Sequence, residues 1–542
     1  MVPSSNGHLW WQRGVVYQVY PRSFKDASGD GIGDLQGITS RLDYLRWLGV
    51  DAVWISPFYP SPMADFGYDI TDHRGVHPRF GTLEDFDGLV AEAHRLGLRI
   101  ILDYVPNHTS DEHPWFLESR SSRDDPKRDW YIWRDPASDG GPPNNWISVF
   151  GGPAWTFDAA TGQYYYHAYL REQPDLNWRN PEVRVAMYDV LRFWLERGVD
   201  GFRVDALRQL VKDARFRDNP PNPDRWPASP PYDALLPVYS TDRPEVHEAV
   251  REMRLVLDEG APPGERVLIG ELYLPIERLV RYYGEGGSGV QLPMNLHLIS
   301  TPWDAARLGD LIDAFEAALP QDGWPTWVLG NHDRSRIASR VGPAQARVAA
   351  MLLLTLRGTP TLYYGDELGM RDVPVPPEQV QDPYEKNVPG IGVGRDPVRT
   401  PMRWSGEDNA GFTSGSPWLP VGEESAEVNV EAQKRAPRSM LTLYRRLLSL
   451  RRSEPALTGG TYAPVKAADD LLAYAREKDE RRFLVALNLG PGPRTLGDSG
   501  LGRGGRVVLS TFLDREGEAV GETLDLRGDE GLIAETTTLP GV

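Results

Sequence analysis

Short apolar, β-rich runs recur along this chain, with helix-like stretches between them. Eight runs stand out, at 15–24, 52–56, 99–105, 201–205, 267–271, 290–295, 326–333 and 359–366. Runs of this length, rich in β-branched and aromatic residues and flanked by Gly, Pro or Asp, read as buried strands. The intervening segments carry a different period. In 182–197, Val183, Met187, Val190, Leu191, Trp194 and Leu195 fall on one helical face. Strand alternating with helix predicts a parallel α/β sheet, and eight such units predict a closed (β/α)8 TIM barrel.

The pattern breaks in three places. Residues 107–176 are rich in Asp, Pro, Gly and Trp, and a structureless loop of that length is improbable, so a small inserted domain is expected after strand three. Residues 371–429 read as a loop-rich excursion reaching back toward the strand ends. After 458, short alternating runs separated by Gly clusters predict a C-terminal antiparallel β domain. The expected organisation is therefore barrel (1–106), insert (107–176), barrel with the excursion (177–457) and β domain (458–542).

Composition narrows the partners. The net charge of −18 disfavours nucleic acid and anionic membrane. A chain with no cysteine has no disulfide, thiol nucleophile or thiolate metal site, which fits a reducing cytoplasm. Met1–His8 is polar and lacks an apolar signal core, so a soluble cytoplasmic protein is expected. Its 17 Trp and 23 Tyr suit both core packing and stacking on sugar rings.

Three acids end such runs: Asp205, Glu271 and Asp333. A parallel barrel gathers its strand C-termini on one face, where catalytic groups sit. Two or three carboxylates meeting in one pocket are the equipment of glycoside hydrolysis. In a retaining enzyme, one carboxylate about 5–5.5 Å from the other attacks the anomeric carbon while its neighbour protonates the leaving oxygen. Arg203 lies two residues before Asp205 on the same strand, so it faces the same side and can hold the charge of Asp205. Glu271 has to begin protonated, so surroundings that favour its neutral form are expected. Taken singly, each acid is equally compatible with a solvated strand end or a helix cap.

With these runs placed, the chain resembles the α-amylase superfamily, and within it the oligo-1,6-glucosidase and α-glucosidase branch. The matching strings are Asp103-Tyr104-Val105-Pro106-Asn107-His108, 201–206, Gly270-Glu271, Asn331-His332-Asp333 and Arg399-Thr400-Pro401-Met402. The resemblance implies that Asp205 is the nucleophile, Glu271 the acid/base and Asp333 the third carboxylate. It makes His108 and His332 donors to glucose hydroxyls, and Tyr68 a platform beneath the sugar. Asp65 with Arg399 would grip the non-reducing end and make the enzyme exo-acting. Phe150, Tyr169 and Gln173 would reach the pocket from the insert. Catalysis of this kind needs no cofactor, and the partner is a small α-glucoside.

A second motif occupies 26–34. Asp26, Ser28, Asp30 and Asp34 offer side-chain oxygens, and Ile32 a backbone carbonyl, at the spacing of the first part of a calcium loop. Gly37 stands where a bidentate Glu would complete it, so a structural Ca2+ or Mg2+ with fewer protein ligands is expected, against an acidic turn without metal. Ala206 leaves room for maltose-type substrates by the same resemblance. Arg208 and Arg334 add donors on the leaving-group side, which keeps a glucosyltransferase or disaccharide isomerase open as an alternative activity. A non-catalytic barrel relative would lack the full carboxylate set.

Overall fold

Each of the eight expected runs enters one closed barrel in the computed structural model of the protein. The structure describes residues 8–536 apart from 227, 263, 468 and 498–503. The first seven residues of the polar N-terminal stretch and residues 537–542 of the expected β domain therefore lie outside the described residues. The barrel strands are Val16–Val19, Ala52–Ile55, Arg99–Tyr104, Gly201–Val204, Val267–Leu272, Leu292–Asn295, Thr326–Val328 and Thr359–Tyr363. Each pairs in parallel with its sequence neighbours, and the first closes on the eighth through Val16 opposite Thr361.

Alternation along these strands separates two cores. Val16, Ala52, Trp54, Ile101, Val267, Ile269, Leu292, Met294 and Val328 share one buried cluster. Their neighbours in sequence, such as Tyr17, Val53, Ile100, Leu268 and Trp327, join the larger cluster that also holds the helices. Gly201 is required by close approach: a Cβ there would stand 2.4 Å from the carbonyl oxygen of Val267 on the neighbouring strand.

Several runs end earlier than their apolar pattern suggests. The first strand stops at Val19 because Pro21 opens a helical turn, Pro21–Phe24. The seventh stops at Val328. The Oδ1 of Asn331 accepts from the backbone N–H of Asp333 (3.0 Å), and this turn takes His332 and Asp333 off the ladder. Both residues were expected on the strand itself. The helix expected at 182–197 forms at Pro181–Glu196, with Asn180 capping it through the N–H of Glu182. All six of its predicted apolar positions are buried.

Within 107–176 lie the helix Pro114–Ser121 and a small three-stranded antiparallel sheet. The excursion is built of short turns, with helices at Pro383–Asn387 and Val430–Arg435 near its end. Beyond 460 come a six-stranded and a two-stranded antiparallel sheet. Among the described residues no helix is long and apolar enough to cross a membrane.

Candidate active site

The site is built around one buried cation. Arg203, on the fourth strand, is 1% exposed, and its Nη1 bonds Asp103 (2.7 Å) and Asp205 (2.6 Å). Its Nη2 reaches Glu271 at 2.8 Å. Two carboxylates from adjacent strands thus meet across a single guanidinium. The other oxygen of Glu271 accepts the backbone N–H of Ala206 (2.9 Å). Ala206 has a left-handed φ of +47°, a costly conformation for a residue with a Cβ, and it sits directly after Asp205. That turn aims the N–H at Glu271.

Three acids around one guanidinium cannot all ionise cheaply. Burial, opposed by Arg203 and reinforced by the neighbouring Glu271, pushes Asp205 well above the usual carboxylate range. Asp103 is pushed up to about 6, again by burial against Arg203. Asp103 and Asp205 bond the same nitrogen of Arg203, so ionising either one opposes ionising the other.

Asp333 has the opposite environment. Burial would raise it, but the surrounding cations outweigh burial and hold it well below the usual range. His332 is pushed down to about 3 by burial, so it is neutral at physiological pH. The charge that keeps Asp333 ionised there comes from Arg399 (2.9 Å) and Arg395 (3.5 Å). Gln18 donates to Nδ1 of His332, which leaves the ring proton on Nε2, facing the Tyr68 hydroxyl (2.8 Å) and Asp333 (3.4 Å). Tyr68 lies flat on the His332 ring, with centroids 5.4 Å apart, and also bonds Asp103.

These groups face one cavity of about 450 Å³. Asp65, Tyr68, His108, Phe150, Tyr169, Asp205, Glu271, His332 and Asp333 all line it. Gln173 stands behind the wall, bonding Asp65 (3.3 Å) and His108 (3.1 Å). His108 is neutral above about 4 because it is buried, and its Nε2 contacts the Tyr68 carbonyl. Phe150 and Tyr169 pack edge to face, so the aromatic pair expected from the insert is present. Arg203 and Arg399 lie beneath the surface and act through the carboxylates they hold.

Asp65 is held by Arg395 (2.7 Å), which also binds Asp382 (2.6 Å). Arg399 instead serves Asp333 and the His332 carbonyl. The two arginines flank the helical turn Asp396–Val398 and share Asp333, while only Arg395 also reaches Asp65 and Asp382. No motif or periodicity marks Arg395 and Asp382, and Gln18 lies in the first strand run without any sign of its bond to His332. Asp103 was visible inside a motif, but its bond to Arg203 was not.

The 26–34 loop is closed by its own hydrogen bonds. Asp26 accepts from Ser28 Oγ, the N–H groups of Gly29 and Gly31, and Thr413 of the excursion. Asp30 accepts the Ile32 N–H. Asp34 accepts the N–H groups of Ala27 and Ser28 and caps the helix Leu35–Thr39 through Gly37. Among the described residues, no group of three or more His, Asp or Glu side chains is arranged to hold a metal ion.

The pattern of known proteins agrees with this geometry. The alpha amylase catalytic domain family matches residues 18–460. A probable alpha-glucosidase of Rhizobium meliloti (strain 1021) is 44% identical over 496 residues, covering 89% of each chain. The oligo-1,6-glucosidase of Parageobacillus thermoglucosidasius is 40% identical, over 89% of this chain and 90% of its own. Among solved structures, the alpha-glucosyl transfer enzyme XgtA superposes with a TM-score of 0.92 at 41% identity, over 98% of this chain and all of the other. The trehalulose synthase MutB of Pseudomonas mesoacidophila MX-45 follows at 0.89 and 36%, over 98% of this chain. With a closed barrel, a carboxylate set on its strand ends and a family match across most of its length, the chain belongs to the alpha-amylase family.

Proposed function

We propose that the chain is a retaining, exo-acting α-glucosidase that removes terminal α-linked glucose from short α-glucosides. The observation that carries this reading is the shared guanidinium of Arg203, which places Asp205 and Glu271 on one pocket wall. Asp205 attacks the anomeric carbon and Glu271 protonates the leaving oxygen, giving a glucosyl ester of Asp205. Water, deprotonated by Glu271, then releases glucose with its configuration retained. Asp333, kept ionised by its arginines, accepts sugar hydroxyls and steadies the positive charge of the transition state. The Asp65–Arg395–Asp382 chain closes the far end of the pocket, which favours a terminal residue over a mid-chain one. The relatives named alpha-glucosidase and oligo-1,6-glucosidase support this reading. A cytoplasmic location and a small sugar as partner, rather than nucleic acid or membrane, belong to the same proposal, supported by the lack of cysteine and the net charge of −18.

Product analysis tests the proposal. Maltotetraose is expected to shorten one glucose at a time, with α-glucose appearing first by NMR. Maltose released from mid-chain, or β-glucose as the first product, would reject it. Arg208 and Arg334, both lining the pocket, favour transfer as a second activity. A new disaccharide exceeding free glucose at high maltose or sucrose would make transfer the main one.

A hard cation in the 26–34 loop is part of the same proposal. Asp26, Ser28, Asp30, Asp34 and the Ile32 carbonyl would hold it, and their all-oxygen chemistry suits Ca2+ or Mg2+. All four lone-pair sites of Asp26 already have donors, so the ion would have to displace some of them. The loop is tied to the excursion through Thr413, so an ion there braces both. Adding Ca2+ to chelator-treated protein is expected to raise the melting midpoint by about 2–3 °C, as for ~2–3 kcal/mol of bound-ligand stabilisation in a chain of this length. An unmoved midpoint would leave the loop a self-sufficient hydrogen-bonded turn.

A further inference from the structure

The end of the barrel away from the catalytic pocket holds a cavity of about 360 Å³. Val15 and Asp51 directly precede the first and second strands, and Arg99 opens the third. The cavity therefore sits where the N-terminal ends of those strands meet the helices Met440–Ser453 and Pro455–Gly459. Trp10, Leu448 and Pro455 give it apolar walls. Its charged lining is almost all of one sign. Arg13, Arg99, Arg451 and Arg452 line it, and Asp51 is the one carboxylate among the lining residues. In a chain of net charge −18, this is a marked concentration of cations.

Asp51 does not neutralise them. It takes Arg452 at 2.8 Å, and its Oδ2 accepts the Val15 N–H at 2.9 Å. Arg99 turns to Asp200 (2.6 Å), which His94 also approaches (2.8 Å). Arg451 is 1% exposed, and its Nη1 and Nη2 donate to backbone carbonyls, among them Leu354 (3.0 Å) and Leu356 (3.2 Å). Its Nε is buried without a hydrogen-bond partner among the described residues. Burial draws Arg451 down only to about 10, so it stays charged at neutral pH. The Arg13 guanidinium forms no ion pair or hydrogen bond among the described residues, and its Nε is buried as well. Arg13 and Arg451 thus lack an ion-pair partner beside a cavity whose low-dielectric walls strengthen their pull on an anion.

Guanidinium forks match the oxygens of a phosphate in both geometry and charge. The cavity is larger than an inorganic anion needs and falls within the roughly 300–1,000 Å³ of small-ligand sites. Apolar walls beside the cations suit the carbon part of an organic phosphate. We propose that this cavity binds a small phosphate ester, with its phosphoryl group among Arg13, Arg451 and Arg452 and its carbon part against Trp10 and Leu448. Bound there, the ester ties the turn Trp10–Arg13 and the strand starts to the helix Met440–Ser453. The site lies at the opposite end of the barrel from Asp205, so it stands or falls independently of the glucosidase reading.

Calorimetric titration with phenyl phosphate and with inorganic phosphate tests the site in wild type, Arg13→Glu, Arg13→Lys and Arg452→Gln. Wild-type protein is expected to bind phenyl phosphate with a Kd of about 1 mM or lower, and inorganic phosphate at least about threefold more weakly. Arg13→Glu should weaken phenyl phosphate about tenfold or more, and Arg452→Gln about threefold, since it also frees the Asp51 carboxylate. Arg13→Lys, which keeps the charge without the fork, should fall between wild type and Arg13→Glu. Hydrolysis of p-nitrophenyl α-glucoside should stay within about twofold in every variant, and a melting curve confirms that each is folded. No heat of binding up to about 10 mM phenyl phosphate, or equal affinity in wild type and Arg13→Glu, would overturn the site. Inorganic phosphate binding as tightly as its phenyl ester would overturn the organic ligand and leave a cradle for inorganic anions.

Discussion

Asp205→Asn is expected to remove turnover while leaving the protein folded. The amide keeps the shape of the side chain and can still accept from Arg203 through its oxygen, but it cannot form the glucosyl ester. Losing a nucleophile of this kind lowers kcat by about 10⁴-fold or more, because no other group near the anomeric carbon can replace the covalent step. Asp103 and Glu271 are the nearest candidates. Asp103 is fully buried beneath Tyr68, and Glu271 is needed at the leaving oxygen. The effect on stability should be small and of unusual sign. Three carboxylates surround one guanidinium here, so removing one charge relieves repulsion. The melting midpoint is therefore expected to hold or to rise, by about 1 °C at most for ~0.5–1 kcal/mol. Assay with p-nitrophenyl α-glucoside alongside a melting curve separates the two effects. Turnover within about tenfold of wild type would reject Asp205 as nucleophile.

The barrel was legible because its strands are short continuous apolar runs separated by helix-period segments, as a parallel sheet buried on both faces requires. Strand ends were less legible, since the apolar run continues past the last ladder bond. Leu329 still looks like strand, yet the Asn331 turn had already been set by side-chain chemistry that periodicity does not record. At the site, residues on strands or directly after them were readable because position alone aims them at the barrel mouth. Arg203 was placed beside Asp205 by the two-residue period of the strand, and the 2.6 Å bond follows. The excursion has no such period. Arg395 carries no sequence signal, although it holds Asp65 and shares Asp333 with Arg399. The hydrogen bonds of the 26–34 loop were hidden for a related reason: a carboxylate at ligand spacing serves backbone N–H groups as readily as a cation.

Glu271→Gln separates the acid role from everything else the residue does. Its two oxygens bond Arg203 and the Ala206 N–H, and glutamine can keep only one of these as an acceptor, so some local adjustment is built into the substitution. The chemical effect should nevertheless depend on the leaving group, which a packing defect would not. The reducing-end glucose of maltose leaves as an alkoxide unless its oxygen is protonated, so maltose cleavage is expected to fall by about 10³–10⁴-fold. Dinitrophenolate needs no proton, so the burst of dinitrophenol from 2,4-dinitrophenyl α-glucoside should remain within about tenfold of wild type. The second step still needs a base to deprotonate water, so the glucosyl ester of Asp205 should accumulate and be visible by mass spectrometry of the intact protein. Burial holds the Asp205 carboxyl well above the usual range, and it attacks only when ionised, so glycosylation should weaken on the acid side of the pH profile in wild type and variant alike. Equal losses on maltose and on the dinitrophenyl substrate would mean that Glu271 shapes the pocket without donating the proton, and the acid role would then have to pass to another residue lining it.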